Sequence, residues 1–180
     1  MKTFIKRLEY YLSYTRIGVW VYSYPYKRVI EREIALGAIN DEDTVLFVGG
    51  GAIPFTPIFL HALSGCKVIV LEKNCEAYER GKKVIDNMKL SHAITLIRSD
   101  GATPVEPHYT VLLTALQASP LSALLRIHGI PEGVRTIIRR PKGRYTDHYD
   151  PLPSAISIID DVAHGFKAFG SSMLVNVSDD

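Results

Sequence analysis

Val45-Leu-Phe-Val-Gly49-Gly50-Gly51-Ala-Ile-Pro54-Phe-Thr56-Pro57 is the stretch whose reading decides the fold, because an apolar strand runs straight into three glycines and then into a helix. At the carboxyl end of a parallel strand, only a backbone free of side chains lets a ligand come close. The helix that follows offers unpaired N–H groups and the positive end of its dipole. The pattern predicts a nucleotide-binding turn, and an α/β domain built around it.

Outward from that turn, apolar runs alternate with helical stretches. Strands are expected at Thr44–Val48, Lys67–Leu71, Ile94–Ser99, Tyr109–Thr114 and Val134–Arg139, and helices over about 57–63, 75–88 and 121–128. Strands joined by helical crossovers form a parallel sheet with helices on both faces. Val68-Ile-Val-Leu71 shows no polar alternation, as burial on both faces requires. After the Pro-rich turn Asp150-Pro-Leu-Pro153, the runs Ile156–Asp160, Phe166–Phe169 and Met173–Val177 are separated by Gly165 and Gly170. They read as short strands, two of them forming an antiparallel hairpin at the sheet edge. The expected fold is therefore α/β: a doubly wound, mostly parallel seven-stranded sheet with a C-terminal antiparallel hairpin. That outline resembles the class I S-adenosylmethionine-dependent methyltransferase fold, which is Rossmann-like.

Ahead of the sheet, Phe4, Leu8, Tyr11 and Leu12 fit one helical face, Pro25 ends that helix, and Val29, Ile30, Ile34 and Leu36 suggest a second one stopping near Gly37. Residues 1–40 are thus read as a short helical cap, and 41–180 as the ligand-binding domain. With 180 residues, 47% of them hydrophobic, the chain supports one continuous core and not two full-sized domains. A net charge of +2, with no long basic run interleaved with aromatics, does not favour nucleic acid, although Arg139-Arg140-Pro-Lys142-Gly-Arg144 is a local basic patch. Cys66 and Cys75 lack a neighbouring Cys or His at zinc spacing, so no metal site is expected and the cysteines read as reduced, in a cytoplasmic protein. Lys2, Lys6 and Arg7 are followed by Glu9 and tyrosines instead of an apolar stretch, which argues against a signal peptide or a membrane span.

Three features fall at the carboxyl ends of successive strands, where an open α/β sheet takes its ligand. The glycines Gly49, Gly50 and Gly51 come first. Glu72, with Lys73 beside it, closes the second strand about twenty residues on, the position from which a carboxylate accepts both ribose hydroxyls. Ser99-Asp100-Gly101-Ala102 ends the third, and an acidic residue followed by two small ones suits an adenine edge. Each element alone also reads as an ordinary turn; together, in order, they point to a bound adenosyl group. Pro54 stands where a dinucleotide fingerprint needs its third glycine, which turns the reading away from NAD. Thr114, ending the fourth strand, either contacts the ligand or caps the next turn.

The same residues carry a narrower resemblance. Gly49, Gly51, Pro54 and Thr56 match position by position the Gly-x-Gly-x-x-Pro-x-Thr signature of the nicotianamine synthase family. Val111-Leu-Leu-Thr-Ala-Leu116, Ile137-Ile-Arg-Arg140 and Ser171-Ser-Met-Leu-Val175 are similar to its later strands, so the resemblance spans about residues 43–177. It implies S-adenosylmethionine as co-substrate. It further implies transfer of the 3-amino-3-carboxypropyl group to a small-molecule amine or amino acid, with release of methylthioadenosine. A glutamate and tyrosines assist in that family, and Pro25-Tyr26 with Glu31 and Glu33 are the residues here that resemble its Pro-Tyr and later glutamate, at a spacing that differs from the family's. The chain departs from the family in having only about forty residues ahead of the sheet, and Glu31 and Glu33 also read as a solvated helix face pairing with Lys27 or Arg28.

Two other functions stand beside this one. A small-molecule methyltransferase shares the fold, although Thr114-Ala-Leu-Gln117 lacks the Asn/Asp-Pro-Pro-Tyr/Phe segment of amine methyltransferases. A non-catalytic S-adenosylmethionine-binding module is the other, and a homo-oligomer is compatible with any of them. Arg139 and Arg140 either bind a carboxylate or are solvated. His148, within Tyr145-Thr-Asp-His-Tyr149, either overhangs the acceptor or sits on a surface loop. Trp20, Tyr22, Tyr24 and Tyr26 either pack the cap or face a sulfonium through cation–π contact.

Overall fold

The apolar runs become the strands of a single sheet in the computed structural model, which describes residues 24–101, 104–106, 108–128, 132–165 and 169–178. The strands are β1 Thr44–Val48, β2 Lys67–Glu72, β3 Ile94–Arg98, β4 Val111–Thr114, β5 Arg135–Pro141, β6 Ile156–Ala163 and β7 Phe169–Val177. The helices are α1 Lys27–Leu36, α2 Phe55–Ser64, α3 Cys75–Asn87 and α4 Leu121–His128. The helix expected around Phe4–Leu12, together with Trp20, Tyr22, Ala102 and Phe166, lies outside the described residues. Among the described residues, no helix is long and apolar enough to cross a membrane.

The sheet runs β3-β2-β1-β4-β5-β7-β6, with β1 to β5 mutually parallel and β7 antiparallel to both β5 and β6. This is the expected doubly wound sheet with its C-terminal hairpin. Its tail is more regular than the sequence suggests, since the three short runs after Pro153 merge into two long strands. Phe169, expected to end one run, instead opens β7. Both bulges of the sheet lie here, at Arg140/Pro141 and between Ile158 and Asp160. Gly170, read from the sequence as a break between runs, lies inside β7 at the register shift opposite Arg140/Pro141, where the extra residue is taken up without ending the strand.

Alternate residues of each central strand feed two cores. Val45, Phe47, Val68, Val70, Val111, Leu113 and Ile137 meet Ile30 of α1, Ile58 and Phe59 of α2, and Val84 and Ile85 of α3. Leu46, Val48, Ile69, Leu71, Leu112 and Ile138 meet Leu121, Leu124 and Leu125 of α4 on the other face. Local chemistry sets the helix ends. Asn74 accepts from the Ala77 amide at 2.9 Å to start α3, and Gly65 in the left-handed region ends α2 by donating to the His61 carbonyl at 2.8 Å. Pro57 is tolerated because it lies in the first turn of α2, where no intrahelical N–H is needed.

Two polar ties hold the opposite ends of the sheet. At the amino ends, Asp43 accepts from Thr110 Oγ1 at 2.6 Å and the Asn40 amide at 2.9 Å, and pairs with Arg135. Arg135 also reaches the Gly37 and Ala38 carbonyls, so the end of α1 is fastened to the starts of β1, β4 and β5. At the carboxyl ends, Arg139 of β5 grips Glu33 of α1 with two bonds, Nε to Oε1 at 2.8 Å and Nη2 to Oε2 at 2.7 Å. Ser172 of β7 donates to the same Oε1 at 2.6 Å, and His164 Nε2 lies 3.0 Å from the Ser172 hydroxyl. Glu33 is 0% exposed and Arg139 8%.

Burial would raise the Asp43 carboxyl, but the hydrogen bonds from Thr110 and Asn40 and the Arg135 charge outweigh it and hold it below its ordinary 3.8. Asp43→Asn is therefore expected to lower urea stability at pH 7 by roughly 2 kcal/mol. A folded value below the unfolded one gives stability that is fully present above pH 3.8. The gap to wild type should thus narrow as pH falls from there through the lower folded value, measured by denaturation across pH. At the other tie, Arg139→Leu strands a buried carboxylate and is expected to cost roughly 3–5 kcal/mol. The double variant Glu33→Leu/Arg139→Leu should recover a large part of that loss in the same experiment.

Candidate active site

The glycine turn sits where β1 ends, and its three residues are glycine for different reasons. The Gly49 and Gly50 amides both donate to the Leu71 carbonyl, at 2.9 and 3.2 Å, which draws the turn against β2. A Cβ on Gly50 would lie 2.5 Å from Val70 Cγ1, and one on Gly49, whose φ is 100°, would lie 2.8 Å from Ala115 Cβ. Gly51, with φ 67°, has nothing within 4 Å of a Cβ position and faces open space. Gly81 of α3 completes the arrangement, since a Cβ there would crowd the Gly51 carbonyl at 3.2 Å. Nothing in the local sequence distinguished Gly81 from any helical glycine.

Above the turn lies a cleft of about 790 Å³, within the roughly 300–1,000 Å³ range of small-molecule sites. Gly49, Gly50, Gly51, Glu72, Lys73, Ser99 and Asp100 line one side of it. Glu72 Oε2 accepts from the Gly51 amide and Oε1 from the Asn74 amide, each at 2.7 Å. The carboxylate thereby braces the turn, and each oxygen keeps lone-pair capacity for a ligand. Lys73 and Asp100 are exposed at the lip.

Two of the expected ligand contacts fall behind this wall. Gly101, with φ 78°, is buried, and a Cβ on it would lie 2.5 Å from Leu124 Cδ2. Its carbonyl is 3.0 Å from His128 Nε2, whose imidazole is pushed below its ordinary value by burial. Packing against α4 is thus sufficient to require glycine at 101, which is not among the residues lining the cleft. Thr114 is 1% exposed and its hydroxyl has no hydrogen-bond partner. It borders a void of about 10 Å³ together with Arg140, Tyr149 and Asp150, which shares Ala115, Leu116, Ala118 and Arg139 with the cleft, while Thr114 itself does not line the cleft.

The far side of the cleft is apolar and aromatic. Tyr26, Val29 and Ile30 face Phe47, Phe55 and Phe169, with the Tyr26 and Phe55 rings 4.7 Å apart. Thr56 and Arg139 are the polar groups of this lobe, and the Arg139 guanidinium lies 5.4 Å and 5.5 Å from the Phe47 and Phe169 ring centres. Of the three residues expected to assist catalysis, Tyr26 lines the cleft. Glu33 is enclosed behind Arg139 with both oxygens occupied, and Glu31 forms an ion pair with Lys27 at 3.1 Å on the outer face of α1. Neither carboxylate reaches the cleft. Tyr24 is 68% exposed and also points elsewhere. Arg140 donates to the Asp150 carbonyl at 2.9 Å, so the two arginines have parted: Arg139 belongs to the cleft and Arg140 to the following loop. His148 lines an adjoining recess of about 270 Å³ that shares Leu116 to Ser119 with the cleft.

No protein-family model matches the chain, and no curated protein matches it in sequence. Solved structures do. A glutamate-to-glutamine variant of the nicotianamine synthase MtNAS, in complex with S-adenosylmethionine, aligns with a TM-score of 0.83 and 23% identity over 97% of this chain and 72% of that one. MtNAS in complex with MTA and tNA gives a TM-score of 0.83 and 24% identity over 96% and 69%. An RNA methyltransferase from Salinibacter ruber, in complex with S-adenosyl-L-homocysteine, gives 0.56 and 13% over 83% and 90%. The chain therefore has the class I S-adenosylmethionine-dependent methyltransferase-like fold, the fold it shares with nicotianamine synthase.

Proposed function

We propose that the chain is an S-adenosylmethionine-dependent transferase that passes the 3-amino-3-carboxypropyl group to a small-molecule amine. The observation that carries this reading is the Gly49–Gly51 turn braced by Glu72 beneath the cleft, in a backbone that matches S-adenosylmethionine-bound MtNAS at a TM-score of 0.83. The residues fit an adenosyl group. Gly51 leaves open space for the ligand, and Glu72 retains acceptor capacity for two ribose hydroxyls. Asp100 stands at the rim, within the set that would take the adenine amine, and Lys73 at the lip.

The sulfonium of the co-substrate supplies the leaving group, because attack on any carbon bonded to sulfur breaks that bond and returns the electron pair to sulfur. Which carbon reacts depends on where the nucleophile is held. The lobe of Tyr26, Val29, Phe55 and Phe169 is the part of the cleft left for an acceptor, and its aromatic faces favour a cation beside them. The attacking amine must be neutral, and the ammonium formed with the new C–N bond then releases its proton to water. Tyr26, which lines this lobe, is the residue assigned to orient that amine, since the two glutamates of α1 do not line the cleft.

Methyl transfer from the same cleft is the second reading, supported by the likeness to the Salinibacter ruber methyltransferase and to M. capricolum TrmK in complex with S-adenosylhomocysteine, the latter at a TM-score of 0.61. Mass spectrometry of nucleosides after incubation with S-adenosylmethionine and a small-molecule cell extract separates the two. Methylthioadenosine above a heat-killed control is the expected product; S-adenosylhomocysteine instead would make the chain a methyltransferase. Glu72→Ala should weaken S-adenosylmethionine binding by roughly 1.5–3 kcal/mol, through loss of charged hydrogen bonds to the ribose. Unchanged affinity by calorimetry would remove Glu72 from the site.

A further inference from the structure

Hydrogen-bond direction around Arg139 is forced by chemistry. A guanidinium only donates and an ionised carboxylate only accepts. Thr56 Oγ1 lies 3.2 Å from both Nη1 and Nη2 of Arg139, so its lone pairs are both taken and its own hydrogen must point elsewhere. Among the described residues that hydrogen has no acceptor, although a Thr in a helix commonly returns it to the carbonyl four residues back. Arg139 spends three hydrogens on Glu33 and Thr56 through Nε and Nη2 and one through Nη1, which leaves one Nη1 hydrogen uncommitted among the described residues. Thr56 is 2% exposed, yet both residues line the cleft. Two buried donors 3.2 Å apart, on residues that line the cleft, are therefore left with a hydrogen each among the described residues.

The surroundings favour an anion there. Thr56 is the second residue of the ten-residue helix α2, whose first turn holds no acidic residue and whose cap, Pro54, contributes no side-chain hydrogen bond. No acidic residue of the first turn and no side-chain cap compensates the positive end of that helix. We propose that Thr56 and Arg139 form a preorganised seat for a ligand carboxylate, and that Glu33, Ser172 and His164 are the positioning residues that lock it. Ser172 must donate to Glu33, so it accepts from His164, which is then the Nε2–H tautomer with a bare Nδ1. His164 Nδ1 has no partner in its buried position, as this chain of donors requires. Glu33, expected from the sequence to act as a base, instead orients the donor.

The inference rests on the adenosyl reading for its ligand, and two carboxylates are available: the one on the co-substrate and the one on an acceptor. Calorimetry on the full chain separates them, with S-adenosylmethionine, its decarboxylated analogue and methylthioadenosine titrated into wild type, Thr56→Val and Thr56→Ser. If the seat holds the co-substrate, Thr56→Val weakens S-adenosylmethionine by about tenfold, the decarboxylated analogue and methylthioadenosine are unaffected, and Thr56→Ser restores binding. If it holds the acceptor, all three nucleosides are unaffected, and methionine binding to methylthioadenosine-loaded protein is lost in Thr56→Val and kept in Thr56→Ser. Equal weakening of all three nucleosides, or no change in any titration, overturns the seat while leaving the adenosyl reading intact. Wild type that binds no nucleoside but binds methionine through Thr56 would sink the adenosyl reading and keep the seat; binding of neither would sink both. For the positioning residues, the nitrogen-15 spectrum of His164 at pH 7 should show the neutral Nε2–H form, and an Nδ1–H form would reverse the donor chain and overturn their role.

Discussion

The Glu33–Arg139 ion pair is the interaction on which the functional end of this molecule depends. Each partner belongs to a different part of the chain, 106 residues apart, and the pair is closed off from water. Buried charges are tolerated only when their hydrogen-bonding capacity is met. Here Ser172 and Thr56 meet all of it but one Arg139 hydrogen, and in doing so they bring β7 and α2 to the same point. Helix α1 is thereby held over the carboxyl ends of the strands, where its Tyr26, Val29 and Ile30 side become a wall of the cleft. The pair adds to the core packing of Ile30 and to the Arg135 tie at the end of α1, and it satisfies the one charged residue on the buried side of that helix.

The opposite end of the sheet uses the same device with different strength. Asp43 and Arg135 are nearer the surface and bind backbone carbonyls and amides as well as each other. That tie sets where the strands begin, and so fixes by register where they end. The cleft is a consequence of those ends: Val48 pairs with Leu71 on one side and Thr114 on the other, so the glycine turn, Glu72 and the Ala115–Ser119 loop emerge at one level. Two apolar cores of opposite facing make this level rigid.

One wall of the cleft was legible in the sequence, where residues follow directly from strand ends. Gly49 to Gly51 and Glu72 could be placed because a parallel strand delivers its next residues to the ligand side, whatever else packs around it. Gly101 and Thr114 follow strands in the same way, yet the structure turns both toward α4 and a small void. Strand position predicts the level at which a residue emerges but not the face it turns to, and that face was set by helix packing a long way off in sequence. The Glu33 side chain shows the same limit. A glutamate on an amphipathic helix carries no local mark of a buried arginine on a strand more than a hundred residues later.

The sequence by itself determined the five parallel strands, the helices between them and the glycine turn after the first strand, because those follow from periodicity, glycine geometry and short-range capping, all of which act within a few residues. The merged length of β6 and β7, the division of Arg139 from Arg140, and the conversion of Glu33 from an expected base into the anchor of a donor pair were decided only by tertiary structure. The physical reason is that hydrogen-bond direction and burial belong to sets of groups brought together by folding. A carboxylate acts as a base or a brace according to which donors surround it, and no single segment of the chain contains them.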